Sequence, residues 1–163
     1  MSEMTMREEN PYPTEILDAM DDDGTMPENV AKLAEHVVGH KIVAVEKGLT
    51  VPGSYYGRKS GTALVLDNGK RVVLADDGDC CAYTSLEDVV LNLDKIDHVI
   101  TGVGTTGGYT TWHIYADLGD VVELKVGWSC GNPFYYGYGF DISVVEVSDL
   151  TIEGTVVAGE LEA

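Results

Sequence analysis

Positive charge is what this sequence has least of. Lysine and arginine supply 10 of its 163 residues against 28 aspartates and glutamates, for a formal charge of −18. Proteins that grip phosphate backbones do so through clustered Lys and Arg, so direct binding to nucleic acid or to an anionic membrane is disfavoured. Long apolar runs are missing too. None approaches the roughly 20 residues that span a bilayer. The first thirty residues are acidic and lack the basic-then-apolar order of a secretory leader, which leads us to expect a cytosolic protein. Cysteine is scarce and odd in number: Cys80, Cys81 and Cys130. Three thiols with one adjacent pair do not make a secreted disulfide framework. They read as small buried hydrophobes. As metal ligands they are weak candidates, because the paired C-x-x-C arms of a zinc site are lacking and His98 or His113 would have to complete the set.

Catalytic signatures are also lacking. There is no Gly-x-Ser-x-Gly and no phosphate-binding P-loop. Gly102-Val103-Gly104-Thr105-Thr106-Gly107 matches the dinucleotide-binding pattern by letter. That motif needs a helix after its last glycine to hold pyrophosphate, whereas Tyr109-Thr110-Thr111-Trp112 reads as strand. The glycines therefore predict a hairpin loop. His36 and His40 stand four apart, but Gly39 ends the helix between them. No acid–base pair stands out from so many carboxylates. We expect no cofactor and no catalytic residue, and a binding protein rather than an enzyme.

The remaining pattern is that of one β-rich domain. Residues 1–24 form an acidic stretch with little periodicity and predict a flexible or loosely attached arm. Thr25 as N-cap, Pro27 and Glu28 open a helix whose Val30, Leu33 and Val37 share a face, and Gly39 stops it. Strands follow over 41–47, 62–66 and 71–75, the last two joined by Asp67-Asn68-Gly69-Lys70, a hairpin signal because Asn-Gly tolerates positive φ. Ser85-Leu86-Glu87-Asp88 resembles a second capping box and suggests a short helix. Further strands are read over 98–103, 109–117, 121–128, around 140–144 and over 151–158. On 109–117, Trp112 and Ile114 share one side, and on 121–128, Val122, Leu124, Val126 and Trp128 do. The fold class predicted is mostly β with a minor helical part: an antiparallel sheet curled into a small barrel or sandwich, with one N-terminal helix packed on it. The globular domain spans 25–158, and 159–163 is an acidic tail.

Aromatics are concentrated rather than scattered. Gly131-Asn132-Pro133-Phe134-Tyr135-Tyr136-Gly137-Tyr138-Gly139-Phe140 sets five rings among turn formers. Tyrosine offers contact area at low entropy cost, which suits recognition. Phe134, Tyr135, Tyr136 and Tyr138, with Trp112, Trp128, Tyr55 and Tyr56, are the candidate binding residues. Arg58, beside Lys59, is the candidate for an anionic group.

Four stretches carry a family resemblance: Asp79-Cys80-Cys81-Ala82-Tyr83, the segment 98–103, Trp112-His113-Ile114, and the aromatic run 131–140. Over about residues 40–148 the chain resembles small uncharacterised proteins of actinobacterial phages, a domain of unknown function. The resemblance brings no activity and no catalytic residue. It implies a non-enzymatic phage accessory protein that works in the host bacterial cytosol and modulates a host protein, one of defence or of DNA binding. Acidity would steer it to a basic surface. Two alternatives stand beside this reading. One is a sponge that holds a nucleotide-type signal in an aromatic, glycine-lined pocket, and the other is a minor virion component. A small-molecule ligand and a homo-oligomer both stay open.

Overall fold

The computed structural model of the chain describes residues 12–18, 22, 24–52, 58–78, 82–130, 138–145 and 155–157. Side chains at 50–52, 58, 59, 78 and 155–157 lie outside the description.

The Asn-Gly hairpin organises the first sheet. Strands β2 (Arg58–Leu66) and β3 (Arg71–Ala75) pair with Val65 opposite Arg71 and Leu64 opposite Val72. Gly69 takes φ 86°, which costs a residue without Cβ little. Strand β1 (Ile42–Pro52) flanks β2. After the second sheet is complete, the chain returns to add β9 (Asp141–Val145) beside β3 and β10 (Thr155–Val157) beside β1, giving the order β10-β1-β2-β3-β9. The second sheet contains β4 (Asp77–Gly78), β5 (Tyr83–Leu91), β6 (Gly102–Thr106), β7 (Thr111–Ala116) and β8 (Gly119–Ser129), in the order β4-β5-β8-β7-β6. Every pairing is antiparallel. Neither sheet closes on itself, so the fold is a β-sandwich and not a barrel.

Alternation decides what meets between the sheets. Trp112 and Ile114 of β7 and Val122, Leu124 and Val126 of β8 join Leu64, Leu66, Val72, Leu74 and Ile142 of the first sheet in one buried cluster. Trp112 is fully buried, edge-on to Phe140 at 5.3 Å. The opposite face of the first sheet is buried as well, with Leu49, Ala63, Val73 and Ala75 in a second cluster. Glu46 and Arg71 lie on that face. Arg71 reaches diagonally across β2 to clasp Glu46 with two hydrogen bonds, Nε to Oε1 at 2.7 Å and Nη2 to Oε2 at 2.8 Å. A bidentate pair is the geometry in which buried charges recover most of their lost hydration.

Helix α1 (Thr25–Val37) buries Met26, Asn29, Leu33 and Val37. It packs between the edge strands β6 and β9. Asn29 stitches it to the sandwich as a strand would. Its amide donates to Phe140 O at 3.0 Å, and its Oδ1 accepts from Phe140 N at 2.8 Å.

The helix, the Asn-Gly hairpin and the strands over 71–75, 111–116 and 119–129 follow the sequence pattern. Three details differ. The N-cap position of α1 is Gly24, in the left-handed region at φ 103°, and Thr25 is the first helical residue. The expected helix at 85–91 is part of β5: Val89 and Val90 are β-branched, and the segment finds a ready partner in β8. The strand expected over 98–103 begins only at Gly102, so the glycines read as a loop make the strand β6 itself. Gly102 and Gly104 are needed there for packing. A Cβ on Gly102 would meet the Tyr115 hydroxyl at 2.3 Å, and one on Gly104 would meet Tyr12 Cβ at 2.3 Å.

Candidate functional site

The chemistry of the second sheet gathers at the end of β6. Gly107, Gly108 and Tyr109 follow it with φ of 69°, 71° and 63°, three successive left-handed residues. Two are glycine, for which this is cheap. Tyr109 bears a cost of about 1–2 kcal/mol, and the surroundings fix it there. Its ring is buried and its hydroxyl donates to the Glu15 carbonyl. The carbonyls of the turn are held by both tryptophans. Trp112 Nε1 donates to Tyr109 O at 3.0 Å and Trp128 Nε1 to Gly108 O at 2.9 Å. Its amides point the other way and converge. Gly108 N and Tyr109 N each donate to the Glu15 carboxylate at 2.8 Å, and the Thr105 hydroxyl adds a third bond at 2.8 Å. Such a nest of amides holds an anion, and here the anion is the chain's own. Burial works to raise the Glu15 carboxyl. The bonds from Gly108, Thr105 and Tyr109, with the nearby His113, outweigh it and hold the group below its usual range.

Beside the nest, on the outer face of the sheet, Tyr12 lies flat on His113 with ring centroids 4.0 Å apart and planes 9° apart. Its hydroxyl donates to Asp120 Oδ1 at 2.9 Å. Burial, that hydrogen bond and the charges of Asp120 and Glu123 push the Tyr12 phenol up to about 12. The other Asp120 oxygen lies 2.7 Å from His113 Nδ1, and His113 Nε2 lies 2.8 Å from Thr106 Oγ1. The ring thus bridges Asp120 and Thr106, one nitrogen to each, with donor and acceptor roles that depend on the tautomer. Carboxylate, imidazole and hydroxyl stand in the order of an activated nucleophile. The amides that could stabilise an oxyanion, those of Gly108 and Tyr109, already hold Glu15, and Tyr12 covers the imidazole. The network fastens residues 12–18 to the sheet. Residues 12–18 belong to the acidic stretch 1–24 that the sequence reads as an arm. Glu15 and Tyr12 give an acidic, aperiodic segment specific partners that hydropathy does not register.

Along the edge of β6, a groove of about 630 Å³ opens between that strand and α1. Val30, Ala31, Ala34 and Val38 form its helical wall, and Val103 and Tyr115 are on the sheet side. Among the described residues, no lysine or arginine lines it.

The residues singled out from sequence fall into three groups. Trp112 is fully buried and faces the sandwich interior, in the core cluster. Trp128 and Tyr138 do come together, stacked at 5.6 Å with planes 15° apart, but Tyr138 is buried and donates to Asp22 Oδ1 at 2.7 Å. Phe134, Tyr135, Tyr136, Tyr55 and Tyr56 lie outside the described residues, as do the weak metal candidates Cys80 and Cys81. Of Arg58 only the backbone is described. Cys130 is a buried thiol. Among the described residues, no group of three or more His, Cys, Asp or Glu could hold a metal ion, and no helix is long and apolar enough to cross a membrane. Sequence reasoning missed Tyr12, Glu15 and Asp120. The signal that pointed toward them was the glycine run after β6, whose left-handed turn needs an anion or water on its amides.

A family model for a domain of unknown function, DUF7448, matches residues 35–142. The match covers more than half of the 163 residues, and the chain belongs to this family. No curated protein and no solved structure matches the chain.

Proposed function

We propose that this member of the DUF7448 family is a non-enzymatic phage accessory protein that binds and modulates a host protein with a basic surface. Its charge carries the reading. The described surface repeats the imbalance of the whole sequence: Asp18, Glu28, Glu35, Glu87, Asp94 and Asp97 are exposed. The few cations are partly spent on internal pairs, Lys47 with Asp88 at 3.9 Å and Lys125 with Glu123 at 3.3 Å. An uncompensated acidic field speeds encounter with a basic partner and repels nucleic acid. The resemblance of residues 79–83, 98–103, 112–114 and 131–140 to phage proteins supports the phage origin and, with it, a site of action in the host cytosol.

The groove beside β6 favours a second reading, a sponge for a small ligand. Its walls suit an apolar body. Among the described residues a nucleotide would find no cation there for its phosphates, so this reading ranks below the first.

Native mass spectrometry of the protein purified gently from an actinobacterial host separates the two. Added mass of tens of kilodaltons that is not a multiple of the 17.6 kDa chain is expected. Added mass of hundreds of daltons instead would replace the first reading with the second.

A further inference from the structure

The groove between β6 and α1 has the elements of a strand-docking site. In the β7–β8 ladder, Val126 N donates to Thr110 O at 2.8 Å while Thr111 pairs with Lys125. By the alternation of antiparallel bonds, Trp112 and Ile114 point their backbone groups at β8, and Thr111 and His113 point theirs at β6. Thr101 N donating to Tyr115 O at 2.9 Å fits the same phase. On β6, Gly102, Gly104 and Thr106 therefore face β7. Val103 and Thr105 turn their N–H and C=O outward. Thr105 is covered, with its hydroxyl on Glu15. Val103 is half-buried, lines the groove, and its outward N–H and C=O have no protein partner among the described residues.

The wall facing this edge is apolar and its rim is acidic. Pro27, Ala31, Ala34 and Val38 recur at helical spacing along the groove. Glu28 and Glu35 stand on the adjoining, exposed side of the same helix. An unpaired strand edge gives main-chain hydrogen bonds, a pocketed wall selects side chains, and the acidic rim selects their neighbours by charge.

We infer that the groove receives an extended segment of a partner protein in which apolar side chains alternate with lysine or arginine, added to the sheet at Val103. One residue of that segment exchanges both backbone bonds with Val103, an apolar side chain enters the wall of Val30, Ala31, Ala34 and Val38, and cations meet Glu28 and Glu35. This rests on the reading of the partner as basic and adds where and how it binds.

A fluorescein-labelled peptide of alternating valine and lysine, seven residues long, tests it by anisotropy on the full chain. Three changes should each weaken binding about tenfold or more, the worth of one good hydrogen bond or contact. They are N-methylation of the central valine, Val103→Pro in the protein, and Ala34→Trp in the groove. Val103 donates nothing to β7, so its proline variant keeps the ladder. An unchanged melting temperature confirms that both protein variants fold. Peptide binding that ignores all three changes yet falls with salt would overturn strand addition and leave the broader charge-based reading standing. No peptide binding by a chain that still captures a basic host protein would overturn the groove alone. No binding of either kind would overturn both.

Discussion

Replacing Glu15 isolates the contact that fixes residues 12–18 to the sandwich. Its carboxylate accepts three bonds of 2.8 Å, two from backbone amides and one from Thr105. Hydrogen bonds to a charged group are worth about 1.5–3 kcal/mol each. The sum is not realised, because Gly108 is only half-buried and water can replace part of the loss. A further limit is that residues 12–18 can detach without unfolding the sandwich. Glu15→Ala should therefore cost about 2–3 kcal/mol, a fall of roughly 4–12 °C in Tm for a chain of this length. Glu15→Gln should cost nearly as much, since its amide sets two donors against the donors of the nest. The pH dependence has a definite sign. The folded-state carboxyl lies below its usual value of 4.5. Its stabilisation is complete above that unfolded value and disappears as pH falls through the folded one. The Tm difference between the native chain and Glu15→Gln should be flat above about pH 5 and shrink below about pH 4.5. Circular dichroism gives the Tm, and hydrogen exchange at the Gly108 and Tyr109 amides reports the contact itself. A native chain whose two amides exchange as fast as in a free peptide, or a Tm difference that persists at low pH, would refute the reasoning.

Two further substitutions probe the sandwich. Arg71→Met strands a carboxylate on the buried face of the first sheet and should cost about 3–5 kcal/mol in urea denaturation. Adding Glu46→Leu should recover at least about 2 kcal/mol of it, since the buried charge is then gone; a double variant worse than the single one would contradict the pairing. Asn29→Ala leaves Phe140 N–H and C=O unpaired beside a buried helix and should cost about 2–4 kcal/mol by the same assay. A loss under about 0.5 kcal/mol would show that α1 is not stitched to the sheet there.

Much of the fold was legible because one face of most strands is buried against the other sheet. The alternation in 109–117 and 121–128 set Trp112 with Ile114, and Val122 with Leu124, on one side of each strand, the sides that meet in the core, and the Asn-Gly pair fixed the hairpin. The failures have physical reasons. At 85–91, a capping-box pattern in Ser85-Leu86-Glu87-Asp88 gave a local helix signal, and pairing with β8 overrode it. At 102–106, glycines suggested a loop, when they are there to let Tyr12 and Tyr115 lie close on the strand. The nest was invisible for a different reason. Glu15 and the Gly108–Tyr109 amides are more than ninety residues apart in sequence, and an acidic residue in an acidic segment carries no mark of its partner. Trp128 and Tyr138 were both singled out from sequence, but their stacking and the hydrogen bonds that turn one toward Gly108 and the other toward Asp22 required the fold.

The central claim is that an acidic protein surface finds a basic partner. The direct measurement is the Kd of the captured host protein from about 50 mM to about 500 mM NaCl, where screening shortens from more than 10 Å to a few ångströms, for the native chain and for Glu28→Lys with Glu35→Lys. The account predicts affinity that falls about tenfold or more over that range, and a variant that binds more weakly with a shallower salt dependence. Affinity indifferent to salt, or a charge-reversed variant that binds as the native chain does, would contradict it.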